Sequence, residues 1–178
     1  KGQGKNVEIP LLELSDERYL DVQGNLSLLN WDAKHDMFIQ AELKNLSVTQ
    51  PGIRYFMDNL TGSVPSILDR MEFVRFKGSA GGYFHDLQVG GLLQTAAGVV
   101  DANLLINSDS DFKRTYSGGV KSKNLNLGKL LGDSKFGHVQ FNVDLEGFNY
   151  NDKYPESYIK GIVSSFDYRG YCYENISL

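Results

Sequence analysis

The chain has 178 residues, with 18 Lys and Arg against 22 Asp and Glu, for a formal net charge of -4. This mildly acidic balance, with no long basic cluster, argues against a nucleic-acid partner, because neutralising phosphates takes basic groups in number. A single cysteine, Cys172, rules out an internal disulfide framework and a Cys-rich zinc site, and no stretch approaches the roughly 18 apolar residues of a membrane-spanning helix. Ten Tyr, ten Phe and 19 Gly against four Pro favour strands and tight turns.

The dominant signal along the chain has period two. Leu20, Val22, Leu26 and Leu28, with Gly24 in their row, alternate with Asp21, Gln23, Asn25 and Ser27. In a strand, successive side chains take opposite faces, so this spacing predicts a sheet with one dry and one wet face. A weaker alternation covers 38–48. Residues 51–60 change period: Ile53, Phe56, Met57 and Leu60 have helical spacing, with Pro51 suited to a first turn. A further turn is expected over 64–71, where Ile67, Leu68 and Met71 share a helical face. Strand spacing returns over 72–79, and Gly81-Gly82 and Gly90-Gly91 read as turn punctuation.

Val100, Ala102, Leu104 and Ile106 alternate with Asp101, Asn103 and Asn107, with Leu105 as the exception. A polar loop follows over 107–111, then a weak strand over 115–124. Residues 125–132 suit one or two helical turns closed by Gly132. The cleanest strand is 137–146: Val139, Phe141, Val143 and Leu145 point one way, and His138, Gln140, Asn142, Asp144 and Glu146 the other. A second polar loop over 149–153 precedes strands over 157–166 and 171–178. About ten strands at hairpin spacing predict one antiparallel all-β domain over 1–178, with two or three short helices packed on the dry face or plugging its end. The chain begins at Lys1 and ends in mid-strand, from which a piece of a longer protein is expected, with 171–178 as an edge strand carrying Tyr171, Tyr173 and Ile176.

The residues supply little for catalysis. His85-Asp86 is an adjacent pair at a turn, whereas triads are assembled in space. His138 falls on a wet face and His35 in a polar turn. The acidic run 109–111 lacks the glycine and distal Glu of an EF-hand loop, and residues 77–82 lack phosphate-loop spacing. Cys172 is expected to pack in a sheet as a small apolar residue. No enzyme, cofactor or metal is expected. Asn25, Asn45, Asn59 and Asn175 open Asn-x-Ser/Thr sequons, as chance allows in an Asn-rich chain.

A one-sided sheet must cover its apolar face with a second sheet, helices or a ligand. The pattern by itself leans towards an ordinary closed core, a sandwich or barrel. Should the sheet instead curl into an open trough, its wall suits acyl chains. At about 0.8 kcal/mol per buried methylene, a chain of some 16 carbons gains on the order of 10 kcal/mol before entropy is counted.

Three runs carry a family resemblance. The first is Val74-Arg75-Phe76-Lys77-Gly78-Ser79 with Gly82-Tyr83-Phe84-His85-Asp86-Leu87 and Gly91-Leu92-Leu93-Gln94-Thr95. The second joins Tyr116-Ser117-Gly118 to Asn124-Leu125-Asn126-Leu127-Gly128-Lys129-Leu130-Leu131-Gly132 and Phe136-Gly137-His138-Val139, and the third is Ile159 to Tyr171. Over about residues 72–178 the chain resembles TamB-like translocation and assembly module proteins of the AsmA-like group. The resemblance implies a segment of a large cell-envelope protein, anchored in the inner membrane and crossing the periplasm. It further implies an extended curved sheet, a β-taco, whose apolar groove carries phospholipid and supports outer-membrane protein assembly with a barrel partner. On that reading Leu20, Val22, Leu26, Leu28, Val100, Leu104, Ile106, Val139, Phe141, Val143 and Leu145 form the lipid-facing wall. Two other readings stand beside it. One is an assembly scaffold acting by edge-strand pairing. The other is a β-sandwich carbohydrate module using Tyr19, Trp31, Tyr83, Tyr116, Tyr150, Tyr154 and Tyr158.

Overall fold

A computed structural model describes residues 2–3, 5–33, 36–62, 64–108, 113–150 and 154–178. His35 and the acidic run 109–111 lie outside the described residues, as do 151–153 of the second polar loop. The chain is a single antiparallel meander. Its strands are β1 (Gly2–Gln3), β2 (Asn6–Asp16), β3 (Leu20–Leu29), β4 (Phe38–Thr49), β5 (Phe73–Tyr83), β6 (Asp86–Thr95), β7 (Gly98–Ser108), β8 (Lys113–Asn126), β9 (Phe136–Tyr150), β10 (Tyr154–Tyr168) and β11 (Tyr171–Ser177). Among the described residues they lie side by side in chain order, each bonded only to its sequence neighbours. Among the described residues β1 and β11 do not pair, so the sheet is open. The closed sandwich or barrel is therefore absent.

Among the described residues three helices interrupt the meander: α1 (Gln50–Thr61), α2 (Ser66–Arg70) and α3 (Leu127–Leu131). α1 and α2 join β4 to β5, and α3 joins β8 to β9, so all three stand at one end of the sheet. Their boundaries follow from local chemistry. The Thr49 hydroxyl accepts from the Gly52 N–H at 3.3 Å and caps α1, while Gly62 (φ 71°) closes it. The Asn126 side chain accepts from the Lys129 N–H at 2.8 Å and caps α3, while Gly132 (φ 70°) ends it.

The core is small and sits beside α3. Ala97, Leu125 and Val139 are buried together, with Leu127 and Leu130 of α3 and Val100, Phe141, Val163 and Phe166 packed against them. Ile53 of α1 is the other strongly buried apolar side chain at this end. Among the described residues no large side chain is wholly withdrawn from solvent. A compact monomer of this mass exposes about 8,700 Å², whereas this chain exposes 12062 Å². The excess is the signature of one layer without a facing one.

The structure moves two expected turns. Gly81-Gly82 and Gly90-Gly91 lie inside β5 and β6, and the hairpin between these strands turns at Phe84 and His85. The glycines have a different use there. A Cβ on Gly78 would collide with the Gly90 carbonyl oxygen, and the Phe76 ring lies across Gly78 and Gly91. At Gly81 a Cβ would meet open space. Gly78→Ala is therefore expected to destabilise the chain by more than about 1 kcal/mol, while Gly81→Ala is neutral or stabilising by up to about 1 kcal/mol. Urea unfolding of the two variants checks this contrast.

Candidate binding face

Residues opposite one another in an antiparallel ladder share a face, so the register sorts the side chains. One row crosses eight strands as Leu26, Ala41, Ala80, Val89, Leu104, Gly118, Leu145 and Ile159. The next begins Val7, Leu28, Ile39, Gly82, Leu87 and Ile106 and continues through Tyr116, Gly147 and Ser157. Between the first row and the helical end runs a row of small residues and valines: Gly24, Leu43, Gly78, Gly91, Ala102, Val120, Val143 and Gly161. Apolar side chains thus line one face from β2 to β10. The other face carries the polar partners, such as Asn25 opposite Glu42 and Asp101 paired to Lys121 at 3.0 Å.

The register brings the predicted wall residues onto this one apolar face. Leu20, Val22, Leu26 and Leu28 of β3 and Val100 and Leu104 of β7 are half-buried, and Ile106 is exposed. On β9, Phe141 and Leu145 are half-buried and Val143 is buried. Val139 is buried against Ala97 and Leu125, so it anchors the closed end of the face. Leu105, the exception to the alternation, takes the polar face and is exposed.

Sequence reasoning missed most of the wall. Ile39, Leu43, Leu46 and Val48 of β4, Val74 and Phe76 of β5, and Leu87, Val89 and Leu93 of β6 all face the same way. So do Val7, Ile9, Leu12 and Leu14 of β2, a strand the alternation did not predict, and Leu14 is 56% exposed. The signal was present in Leu87, Val89 and Leu93, whose spacing continues through the glycine pair.

Polar contacts lace the helical end together. Arg54 of α1 holds Asp69 of α2 in a bidentate pair, at 2.6 and 3.1 Å, and the pairing lowers the Asp69 carboxyl from its ordinary value and raises the guanidinium. Arg70 of α2 donates to the carbonyls of Leu130 (3.2 Å) and Leu131 (2.9 Å), which α3 leaves without helical partners. Lys129 of α3 meets Glu72 at 2.9 Å. Tyr19, in the β2–β3 turn, stacks on Tyr55 of α1 with centroids 5.1 Å apart. The apolar face is thus capped at one end by three linked helices.

The tyrosines proposed as a sugar platform do not come together. Tyr19 is at the helical end, Tyr116 lies on the apolar face over Gly147, and Tyr158 is on the polar face of β10. Trp31 and Tyr83 are exposed near the opposite end, and the side chains of Tyr150 and Tyr154 lie outside the described residues. At the far edge, Tyr171 and Tyr173 are exposed and Ile176 is half-buried, all on a strand paired to β10 alone.

Chemistry-bearing residues stay apart. His85 stacks on Tyr83 at 5.7 Å, and Asp86 pairs with Asn107 across the ladder. His138 is exposed on the polar face. Among the described residues no three His, Cys, Asp or Glu are placed to hold a metal. Cys172 is exposed on β11 instead of packed within the sheet, because an edge strand has a neighbour on one side only. Its cross-strand partner Asp167 hydrogen-bonds the thiol and raises its pKa, as partial desolvation against the neighbouring strand and the Asp167 and Glu174 charges also do. A raised pKa leaves less thiolate at a given pH. Iodoacetamide should therefore alkylate Cys172 more slowly than a free cysteine near pH 8, and Asp167→Asn should speed the reaction and shift its pH midpoint down. Mass spectrometry of timed aliquots measures both.

The chain finds no match among family models, curated proteins or solved structures.

Proposed function

We propose that the chain is a segment of a TamB-like, AsmA-like cell-envelope protein whose apolar sheet face shields phospholipid acyl chains between the inner and outer membranes. One observation carries the reading: aligned apolar rows cross the sheet from β2 to β10, and no second layer of the described chain covers them. Leaving such a surface in water is unfavourable by about 25 cal/mol per Å². A monomer rarely exposes a contiguous apolar patch of this extent without a guest or partner. Acyl chains suit a mainly apolar wall whose hydroxyls, such as Tyr116 with Ser157 and Ser122 with the Val99 carbonyl, are already paired, because methylenes need only removal from water. In the envelope the full protein is held in the inner membrane and works with an outer-membrane barrel partner through its other parts.

Photo-crosslinking in cells tests the proposal. A probe at Leu104 or Phe141 is expected to capture phospholipid, and a probe at Gln140, on the opposite face of the same strand as Phe141, is not. Equal labelling at the three positions refutes it.

The edge favours a second reading, capture of an incoming strand. Among the described residues β11 covers β10 from Gly161 to Tyr168, and residues 156–160 pair with β9 and carry exposed side chains, Ile159 at 51%. Unpaired main-chain groups there and along β11 can template another strand. Proline at Tyr173 or at Ile159 removes one donor N–H. It should abolish co-purification of nascent outer-membrane protein while lipid labelling at Phe141 persists. Unchanged co-purification with both prolines excludes strand capture.

A further inference from the structure

We infer that the apolar face is also the contact of a homodimer, in which two copies of this chain pack face to face through the rows from β2 to β10 when no lipid lies there. The inference concerns the same wall as the lipid reading but does not depend on it, since a second copy and an acyl chain exclude one another. The area on offer carries it. The chain exposes about 3,400 Å² more than a compact monomer of its mass. A stable interface takes about 800 Å² from each partner, roughly a quarter of that excess.

A two-fold contact sets a surface against its own image, so the surface must be complementary to itself. Like charges meeting across the axis would forbid this. Among the described residues, the rows through Gly24, Leu26 and Leu28 carry no charged side chain from β3 to β10. Their hydroxyls are committed within one copy, Tyr116 with Ser157. The charges stand on the opposite face, where Glu42, Lys77 and Lys121 are exposed and stay in water when the apolar faces meet. A neutral, mainly apolar patch with a charged reverse side has the composition of a homodimer contact.

The helices fix the orientation. α3 lays Leu127 and Leu130 on the apolar side, against Val139 and Phe141, so a helix stands on the face at that end alone. Packed sheets lie about 10 Å apart, and a helix with its side chains is about as wide. One α3 therefore fills the gap between two sheets, and two of them cannot share an end. The two-fold axis runs across the strands, along the rows, and sets the helical end of each copy over the open end of its partner. Each copy supplies the layer that the other lacks, and the helices close the gap at both ends.

Light scattering on the lipid-free full chain at micromolar concentration tests the contact. The mass should be near 40 kDa, twice the 19.9 kDa of one chain. Leu104→Glu puts a carboxylate in the dry contact and should raise the dissociation constant at least about tenfold. Gln140→Glu on the polar face and Tyr173→Pro on the β11 edge should leave the dimer intact. An unchanged circular dichroism spectrum of Leu104→Glu separates lost pairing from lost fold. The orientation is read without altering the face: in a Cys172→Ser background, nitroxides at Ser134→Cys, in the exposed turn at the helical end, should lie more than about 30 Å apart, the length of some ten strand residues. A monomer, an open series of larger species, a dimer lost in Tyr173→Pro but kept in Leu104→Glu, or nitroxides nearer than that overturns the inference. Phospholipid capture at Leu104 by a chain that is monomeric without lipid removes this inference and leaves the lipid reading standing, and a dimer that captures no phospholipid does the converse.

Discussion

A single-layer sheet satisfies its backbone and leaves one face unsatisfied, and the rest of the molecule is arranged around that constraint. Each inner strand of the meander has its main-chain donors and acceptors filled by sequence neighbours, so the ladder needs no distant contact. The side chains are a different matter. Period-two alternation places every apolar residue of a strand on one side, and antiparallel register carries that side across the sheet unbroken. In a sandwich a second sheet about 10 Å away would dry this face. Here the apolar residues remain half-buried, screened by their neighbours and not by a roof.

The exception is the helical end. There α3 lays Leu127 and Leu130 against Leu125 and Val139, and the core closes around them. The helices arise where the chain crosses between strands at the same end, and each link joins a different pair: Arg54 with Asp69, Arg70 with the last carbonyls of α3, and Lys129 with Glu72. All these side chains keep contact with water, so each ion pair contributes modestly. Their effect is geometric, since five-residue helices such as α2 and α3 do not persist alone. Packing and carbonyl capping hold them across the end of the face.

Legibility in the sequence followed the purity of the alternation. β3 and β9 have unbroken apolar rows, and their facing was readable residue by residue. β6 was not readable as a strand, because Gly90-Gly91 at its centre has the composition of a turn and only the ladder shows that both glycines are extended. β2 hid for another reason: Ile9, Pro10, Leu11 and Leu12 place apolar residues in succession, and a register shift between Ile9 and Leu12 resets the facing. Similar shifts in β4, β8 and β10 blur their alternation to the eye while keeping Leu46, Leu125 and Phe166 on the apolar side. Whether the face would be closed or open was not legible at all. Binary pattern fixes which residues share a side and carries no information about what, if anything, lies opposite. Cys172 shows the same limit in miniature, since its exposure depends on β11 being an edge.

The two faces differ in the kind of discrimination they can exert. The polar face carries amides, carboxylates and lysines whose contacts are directional, as Asn25 with Glu42 and Asp101 with Lys121. The apolar face offers mainly area, its hydroxyls being paired within the protein. Under the proposed function, an acyl chain moving by one methylene exchanges one roughly 0.8 kcal/mol contact for another of equal size, and the net change is close to zero. A wall built this way holds the whole chain strongly and any one position weakly. Lateral movement then meets resistance only where the lining changes height, as between the low Ala41 and Ala80 and the Phe76 ring that lies across Gly78 and Gly91. The hydroxyls on this face are paired within the protein, Tyr116 with Ser157 and Ser122 with the Val99 carbonyl, which is what a surface needs if it is to keep a guest dry without fixing its place.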